Sequence, residues 1–228
     1  NRFTYGAFGH AFGTPNIGAG PSHVQCGGNE HPISLMYHGS MRYHVDFSFC
    51  NYLLLFASQA GSGVGTLATP SILEIADARA RGMKVVAVDP RYSNTAAIAD
   101  EWIPIRPGTD GAFALTVLNL LLNDLRIYDA PSLKEYTNGP YLVGPDQLYV
   151  RDKDTGKPLV WDDSEGRARA FDAADPQHCA LEGSFTVDGV SCKTGFQLLK
   201  EQVMRYTPEM GANIPTVPAE TLRRVAQE

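Results

Sequence analysis

Two carboxylates stand where a ligand-binding α/β protein would need them. Asp89 ends the apolar run Val85–Val88, whose continuous β-branched texture is typical of a buried parallel strand. Asp110 follows a second apolar run, Trp102–Ile105, and the turn Arg106-Pro107-Gly108-Thr109. Ligands of open α/β sheets bind just past the carboxyl ends of the strands, so we expect both side chains to lie near a ligand. A carboxylate at a strand end can accept hydrogen bonds from ribose hydroxyls.

The elements that must position these carboxylates read as a βαβ unit. Tyr52–Phe56 is predicted to be a buried strand and Ala57–Leu67 a loop rich in glycine and serine. Thr69 is a good N-cap for a helix that starts at Pro70 and runs to Gly82. With the Val85–Val88 strand, this order predicts one right-handed crossover. The glycines give the loop backbone freedom to approach phosphates.

The glycine-rich loop does not have the dinucleotide fingerprint. Its sequence is G-S-G-V-G-T, whereas the fingerprint is G-x-G-x-x-G with the last glycine at the helix start. Spacing alone therefore leaves a nucleotide site and a structural turn both open. Further on, Thr95–Ala99 is predicted to form a helical turn, and Gly111–Asn123 an apolar helix begun by Asp110. The Asp110 carboxylate could simply cap that helix.

The chain outside this unit divides by texture. Residues 1–45 form a loop-rich segment with short helical pieces, expected to line an active site, and residues 46–139 the α/β part. Residues 140–195 read as a β-hairpin-rich insertion with turns at 154–156 and 187–189, and residues 196–228 return to helical spacing. The predicted fold class is α/β, with a Rossmann-like three-layer domain around a parallel sheet. Asp162, Asp163, Asp172 and Asp175 are expected on a solvated acidic face of the insertion.

Charge and hydropathy restrict the partners. The 228 residues carry a formal charge of −6 and a pI near 5.5, with no run of Lys or Arg. Nucleic acids and anionic membranes need basic patches, so neither is the expected partner. No apolar stretch is long enough to cross a bilayer, and a small molecule is the expected ligand. The chain starts at Asn1 without a signal-peptide pattern, and we interpret it as an internal fragment of a larger multidomain chain.

Four cysteines, Cys26, Cys50, Cys179 and Cys192, are widely spaced and form no Cys-x-x-Cys pair. A zinc or iron–sulfur site made by this segment alone is therefore not expected. Cys50 precedes the Tyr52–Phe56 run and is expected to be a buried core thiol. Cys179 and Cys192 could be paired or inert.

Several strings together resemble the molybdopterin oxidoreductases of the dimethyl sulfoxide reductase family. The main one is KVVAVDPRYSNTAAIADEWIPIRPGTDGAFAL at residues 84–115. NRFTYGAFGHAFGTPN, NYLLLFASQ and YTPEMGANIPTVPAETLRRVA are similar to the same family in the same order, so the resemblance covers most of the chain. Where the family often has Gly-x-Asn-Pro after the first strand, this chain has Ala57-Ser58-Gln59-Ala60.

The resemblance implies a bis(molybdopterin guanine dinucleotide) cofactor with molybdenum, or alternatively tungsten. Asp110 would face the guanine edge, because a carboxylate can accept from both the ring N–H and the exocyclic amine of guanine. Asp89, Arg91, Ser93 and Thr95 would contact a guanosine diphosphate. The full set of candidate cofactor residues is Asn16, Ser58, Gln59, Asp89, Arg91, Ser93, Thr95, Pro107, Gly108 and Asp110.

The family usually ligates molybdenum through one side chain shortly after a Gly-[Ser/Thr]-Pro-Asn-like segment. Here residues 13–16 have that pattern and Cys26 follows, which resembles the cysteine-ligated branch of polysulfide and thiosulfate reductases and acetylene hydratase. A thiolate is a suitable soft ligand for this metal. Ser22, or no side chain, is the alternative. His23 and His31 flank Cys26 and could donate protons or position a substrate, or could be structural.

The implied function is two-electron redox on a small substrate, by oxygen-atom transfer or reduction of a sulfur compound. The fragment alone is not expected to turn over, because an iron–sulfur segment would precede it and a further domain would follow. Non-redox hydration on the same cofactor, a nicotinamide-type dehydrogenase and a non-catalytic relative remain alternatives. The resemblance also implies a partner, an iron–sulfur protein that transfers electrons, and export of the folded protein to the periplasm, with a cytoplasmic location as the alternative.

Overall fold

The computed structural model describes residues 2–14, 33–36, 39, 45–58 and 70–228. The chain forms two compact units. The first comprises residues 1–87 and 92–102, and the second comprises residues 88–91 and 103–228. Within the described ranges, no helix combines the length and the apolar character needed to span a membrane.

A parallel three-stranded sheet in the order β1-β2-β3 gives the chain its α/β character. Its strands are β1 (Tyr52–Phe56), β2 (Lys84–Val88) and β3 (Glu101–Ile103). The helices of the first unit are α1 (Arg2–Phe12), α2 (Pro70–Ala80) and α3 (Asn94–Ile98). All but the first residue of β2 are buried, as the β-branched run predicted. The core beside β1 and α2 consists of Phe47, Leu53, Leu55, Ile75, Ala78, Met83 and Val85.

Two boundaries in the first unit differ from the sequence prediction. The third strand ends at Ile103, not at Ile105, because Pro104 has no N–H with which to continue a strand ladder. In the loop-rich N-terminal segment, Arg2–Phe12 forms an 11-residue helix. Gly13 then turns into the left-handed region (φ +76°), a common way for a helix to end.

Helices of the second unit surround the segment that starts at Asp110. They are α4 (Asp110–Asn119), α5 (Ala130–Tyr136), α6 (Gly195–Val203), α7 (Pro208–Asn213) and α8 (Ala219–Gln227). The helix predicted to run to Asn123 instead changes at Leu120 into a six-residue π-helix, Leu120–Leu125. Side-chain caps start three helices: Asp129, Thr194 and Thr207 accept from the backbone N–H three residues later.

The second unit also holds five short strands, β4 (Leu142–Val143), β5 (Leu159–Asp162), β6 (Arg167–Ala170), β7 (Ser184–Val187) and β8 (Val190–Thr194). They form an antiparallel sheet in the order β4-β8-β7 and a β5-β6 hairpin. Asp188 (φ +50°) and Gly189 (φ +80°) make the two-residue loop between β7 and β8. Positive φ at both positions is the geometry that the Asp-Gly dipeptide predicted.

Asp162 is not on a solvated face, which corrects the expectation for this residue. It is 2% exposed and closes the β5-β6 loop. Its Oδ1 accepts from the Ser164 hydroxyl (2.6 Å), from Ser164 N (2.9 Å) and from Glu165 N (3.2 Å). The Ser164 hydroxyl is the largest of the contacts that lower the pKa of Asp162. The carboxylate is therefore a loop cap, a role common for Asp in turns.

Candidate functional site

Asp89 lies directly after β2 and its side chain is held in place. The residue is 5% exposed. Its N–H donates to the Ile103 carbonyl (3.2 Å), and its Oδ1 accepts from the Arg91 N–H (3.0 Å). A buried carboxylate at a strand end needs such donors, because burial otherwise disfavours the charge. The Arg91 backbone thus fixes one oxygen of Asp89.

The charged groups of Arg91 and Asp110 carry no such partner. Among the residues that the structure describes, neither the Arg91 guanidinium nor the Asp110 carboxylate makes a hydrogen bond or an ion pair. Arg91 is exposed and Asp110 half-buried. Asp110 is the first residue of α4, but Thr109 holds the N-cap position and no side chain makes a capping bond there. The simple capping role for Asp110 is therefore wrong, and its carboxylate is available to a ligand.

The turn before α4 presents backbone with little side-chain cover. Pro107 and Gly108 are exposed, and Gly108 has φ +77° with nothing within 4 Å of the position that a Cβ would take. Proline followed by a glycine with positive φ is the signature of a type II turn. The Thr109 hydroxyl donates to the Arg106 carbonyl (2.7 Å), and Arg106 N donates to the Pro215 carbonyl (3.0 Å). These bonds hold the turn rigidly in front of Asp110.

Ser93 and Thr95 lie in the first unit and already have structural contacts. Ser93 is 7% exposed and caps α3, its Oγ accepting from Ala96 N (3.3 Å). Thr95 is 3% exposed, and its carbonyl accepts from Ala99 N at the other end of the helix (3.0 Å). Both side chains are thus less accessible than the resemblance implied.

Ser58 is half-buried just past β1, and the residue before it is strained. Ala57 has φ +44°, in the left-handed region that favours glycine. This is where the family often has glycine, so the chain keeps a glycine-type backbone with an alanine. Unusual backbone conformations of this kind cluster at functional sites.

Five of the candidate residues lie outside the described part of the chain. These are Asn16, His23, Cys26, His31 and Gln59. In the part that the structure describes, no three His, Cys, Asp or Glu residues come together in a way that could hold a metal ion. The assignments of the molybdenum ligand and of the flanking histidines therefore stay predictions.

Two features sit away from the strand ends. A pocket of about 170 Å³ in the first unit is lined by residues before β1 and on α2, among them Asp46, Glu74 and Arg81. It is smaller than the roughly 300 Å³ at which ligand pockets begin, so it is not the candidate site. The thiols of Cys50, Cys179 and Cys192 are free, which removes the Cys179–Cys192 pairing. Burial raises the pKa of both Cys179 and Cys192, so these thiols are poor nucleophiles.

Two polar networks were not found by sequence reasoning. In the first unit, Arg79 and Asp100 join α2 to the residues that precede β3. In the second, Glu182 accepts from the Tyr128 hydroxyl (2.5 Å) and from Lys200 Nζ (2.7 Å). Each joins residues at least 18 positions apart, and no local pattern marks such pairs.

Comparison with known proteins follows from this arrangement of a parallel sheet with charged groups past its strand ends. No family model matches the chain. The A chain of sulfite dehydrogenase from Allochromatium vinosum is 37% identical over 176 residues, covering 70% of this chain and 18% of the relative. The alpha chain of perchlorate reductase from Dechloromonas aromatica is 30% identical over 227 residues, covering 81% of this chain and 24% of the relative.

A solved structure has the same fold. Acetylene hydratase from Pelobacter acetylenicus superposes with a TM-score of 0.53 over 88% of this chain and 19% of that chain. At 23% identity the likeness concerns the fold alone.

The fold and the strand-end residues define an α/β protein of the molybdopterin-enzyme type. The chain is homologous to catalytic subunits of the dimethyl sulfoxide reductase family of molybdopterin oxidoreductases, which confirms the resemblance seen in the sequence. It spans 18% and 24% of the length of the two curated relatives above.

Proposed function

We propose that this chain is part of the catalytic subunit of a molybdenum oxidoreductase and binds bis(molybdopterin guanine dinucleotide). One observation carries the proposal. Past the ends of β2 and β3 lie a buried, oriented carboxylate on Asp89 and two charged groups, on Arg91 and Asp110, that have no partner among the described residues. Homology to named oxidoreductases supports it.

These groups fit the guanosine diphosphate parts of that cofactor. A guanidinium binds phosphate oxygens in a fork, so Arg91 would hold the diphosphate. Asp89, with one oxygen already fixed by Arg91 N, would accept from ribose hydroxyls. Asp110 would accept from the ring N–H and the amine of guanine. The exposed Pro107-Gly108 turn would let the base approach the backbone closely.

The remaining candidates complete the proposed site with less support. Ser58 follows the strained Ala57, and Ser93 and Thr95 are buried at the start of α3. Asn16 and Gln59 would contact the pterin or phosphate groups, while Cys26 would ligate the metal and His23 and His31 would move protons or orient a substrate. When bound, the cofactor supplies two-electron redox chemistry at the metal.

The substrate class is proposed from the relatives' names. One relative is named for sulfite and another for perchlorate, so a small sulfur compound or oxyanion is the proposed substrate. Both relatives are named as subunits. An iron–sulfur electron-transfer partner, an iron–sulfur cluster ahead of this chain and a periplasmic location are parts of the same proposal. So are the Rossmann-like organisation and the role of residues 140–195 as an insertion.

The proposal is tested by the affinity of the full-length, cofactor-free protein for guanosine diphosphate. Asp110→Asn and Arg91→Ala each remove a charge-assisted contact, worth about 1.5–3 kcal/mol, so the dissociation constant should rise by about 10- to 100-fold. Asp110→Asn should also reduce the preference for guanosine over adenosine diphosphate. The matched control is Asp124→Asn, which neutralises an exposed carboxylate in the π-helix and should leave the affinity unchanged.

Two results would contradict the proposal. One is equal affinity for guanosine and adenosine diphosphate that neither variant changes. The other is a nicotinamide nucleotide in the purified protein, together with activity that survives Cys26→Ala, because a nicotinamide enzyme needs no thiolate ligand to a metal.

A further inference from the structure

A clamp of two side chains holds the start of β2 to the residues before β3. Val85 N donates to Asp100 Oδ2 (2.8 Å), and Asp100 N donates to the Val85 carbonyl (2.9 Å). A carboxylate therefore takes a strand N–H. The other oxygen, Oδ1, accepts from Arg79 Nη2 (2.9 Å), so α2 is joined to the same point.

The same arginine also holds the end of α3. Arg79 Nη1 donates to the carbonyl of Ile98, the last residue of that helix. A carbonyl at a helix C-terminus lacks an intrahelical partner, and a cation there suits the helix dipole. A helix of five residues is too short to be stable alone, since the cost of starting a helix is recovered only over several turns. Therefore α3 depends on its Ser93 cap and on this contact.

The clamp closes the part of the chain that carries most of the β2-end candidates. Val85 and Asp100 are 15 positions apart, and Asp89, Arg91, Ser93 and Thr95 all fall between them. The clamp fixes both ends of this span, and through Ile98 it fixes the helix that begins after Ser93. Its own groups are about one-third exposed, 34% for Arg79 and 40% for Asp100. As a simple surface ion pair it would contribute little to stability.

We propose that Asp100 and Arg79 are positioning residues for the guanosine diphosphate contacts of residues 89–95. This inference rests on the proposed function. Neither side chain needs to touch the nucleotide. Loss of the clamp frees the end of α3 and leaves the Val85 N–H without its acceptor, so the span between them samples other conformations and binds the nucleotide less tightly.

The test uses the full-length, cofactor-free protein with guanosine diphosphate as the probe, at a temperature where circular dichroism shows every variant fully folded. Asp100→Ala and Arg79→Met should each raise the dissociation constant about tenfold. Asp100→Asn should restore most of the affinity, because its amide oxygen can still accept from Val85 N. The matched control is Glu101→Gln, which breaks the neighbouring Lys84–Glu101 ion pair (3.5 Å) of similar exposure and should leave the affinity unchanged.

The outcomes separate this inference from the proposed function. A wild-type protein without affinity for guanosine diphosphate contradicts the proposed function itself. A wild-type protein that binds, with folded Asp100→Ala and Arg79→Met binding equally well, overturns the inference alone. Equal weakening by Asp100→Asn and Asp100→Ala also overturns it, because the Val85 contact would then not be the cause. If Asp100→Ala does not fold, Arg79→Met decides the matter.

Discussion

Gly211 is the point where α7 comes closest to α4, and adding one methyl group there should separate the two helices. A Cβ at Gly211 would lie 2.2 Å from Oγ1, 2.7 Å from Cγ2 and 2.8 Å from Cβ of Thr116. Thr116 is fully buried, and its hydroxyl donates to the Ala112 carbonyl (2.8 Å). A β-branched side chain held in this way cannot turn aside. The helix that Asp110 begins would have to shift.

The size of the effect follows from these distances. Unstrained carbon contacts are about 3.5–4.0 Å, so the helices must part by more than about 1 Å. Overpacking of this kind costs about 1–3 kcal/mol, and we expect Gly211→Ala to lie at the upper end. Gly111→Ala is the matched control, because Gly111 is exposed in α4 with nothing within 4 Å of its Cβ position. There alanine should stabilise the helix by up to about 1 kcal/mol.

Hydrogen exchange of residues 110–125 in the full-length protein measures this locally. A cost of about 3 kcal/mol corresponds to about 100-fold faster exchange through opening of α4, whereas Gly111→Ala should slow exchange. Adding Thr116→Ala to Gly211→Ala should recover at least about 1 kcal/mol, since it removes two of the three contacting atoms. Unchanged exchange in Gly211→Ala, or no recovery in the double variant, would refute the close packing.

Three further predictions concern stability. Ala57→Gly should stabilise the protein by about 1 kcal/mol in a urea titration, because glycine adopts the φ of +44° without strain; no gain would contradict that backbone. Lys200→Met should cost about 1–2 kcal/mol in the same assay by leaving Glu182 without its cation, and adding Glu182→Gln should recover part, whereas additive losses would argue against the pair. The Val85 N–H and then Arg79 lower the pKa of Asp100 below 3.8, so its stabilisation is present above that pH and is lost as the pH falls through the folded pKa. Wild type should exceed Asp100→Asn by less than about 1 kcal/mol at pH 7, as expected for an exposed pair, and the difference should vanish in acid; a difference independent of pH would contradict this.

The sheet and its strand ends could be predicted because their signals are local. The Val85–Val88 run, Pro70 at the helix start and the Asp188-Gly189 turn each constrain their own backbone. Even there, the third strand was placed too late in the chain, since an apolar run does not reveal that Pro104 interrupts a ladder.

The rest depends on contacts between distant residues. The π-helix at Leu120–Leu125 has the same apolar texture as the α-helix before it, so periodicity could not show the change. The burial of Asp162 depends on donors that its own loop provides, and composition alone suggested a solvated face. At the candidate site, Asp89 and Asp110 followed from their place after strands, but the N-cap at Thr109 and the prior use of Ser93 as a cap needed coordinates. The clamp of Asp100 and Arg79 joins residues 21 positions apart and has no sequence signal.

The most direct test of the central claim is the molybdenum and guanine content of the full-length protein, purified from a host able to make the cofactor. Acid hydrolysis should release about two guanine nucleotides for about one molybdenum or tungsten per chain. Protein that contains neither metal nor guanine, although the host loads another molybdenum enzyme in the same preparation, would contradict the account.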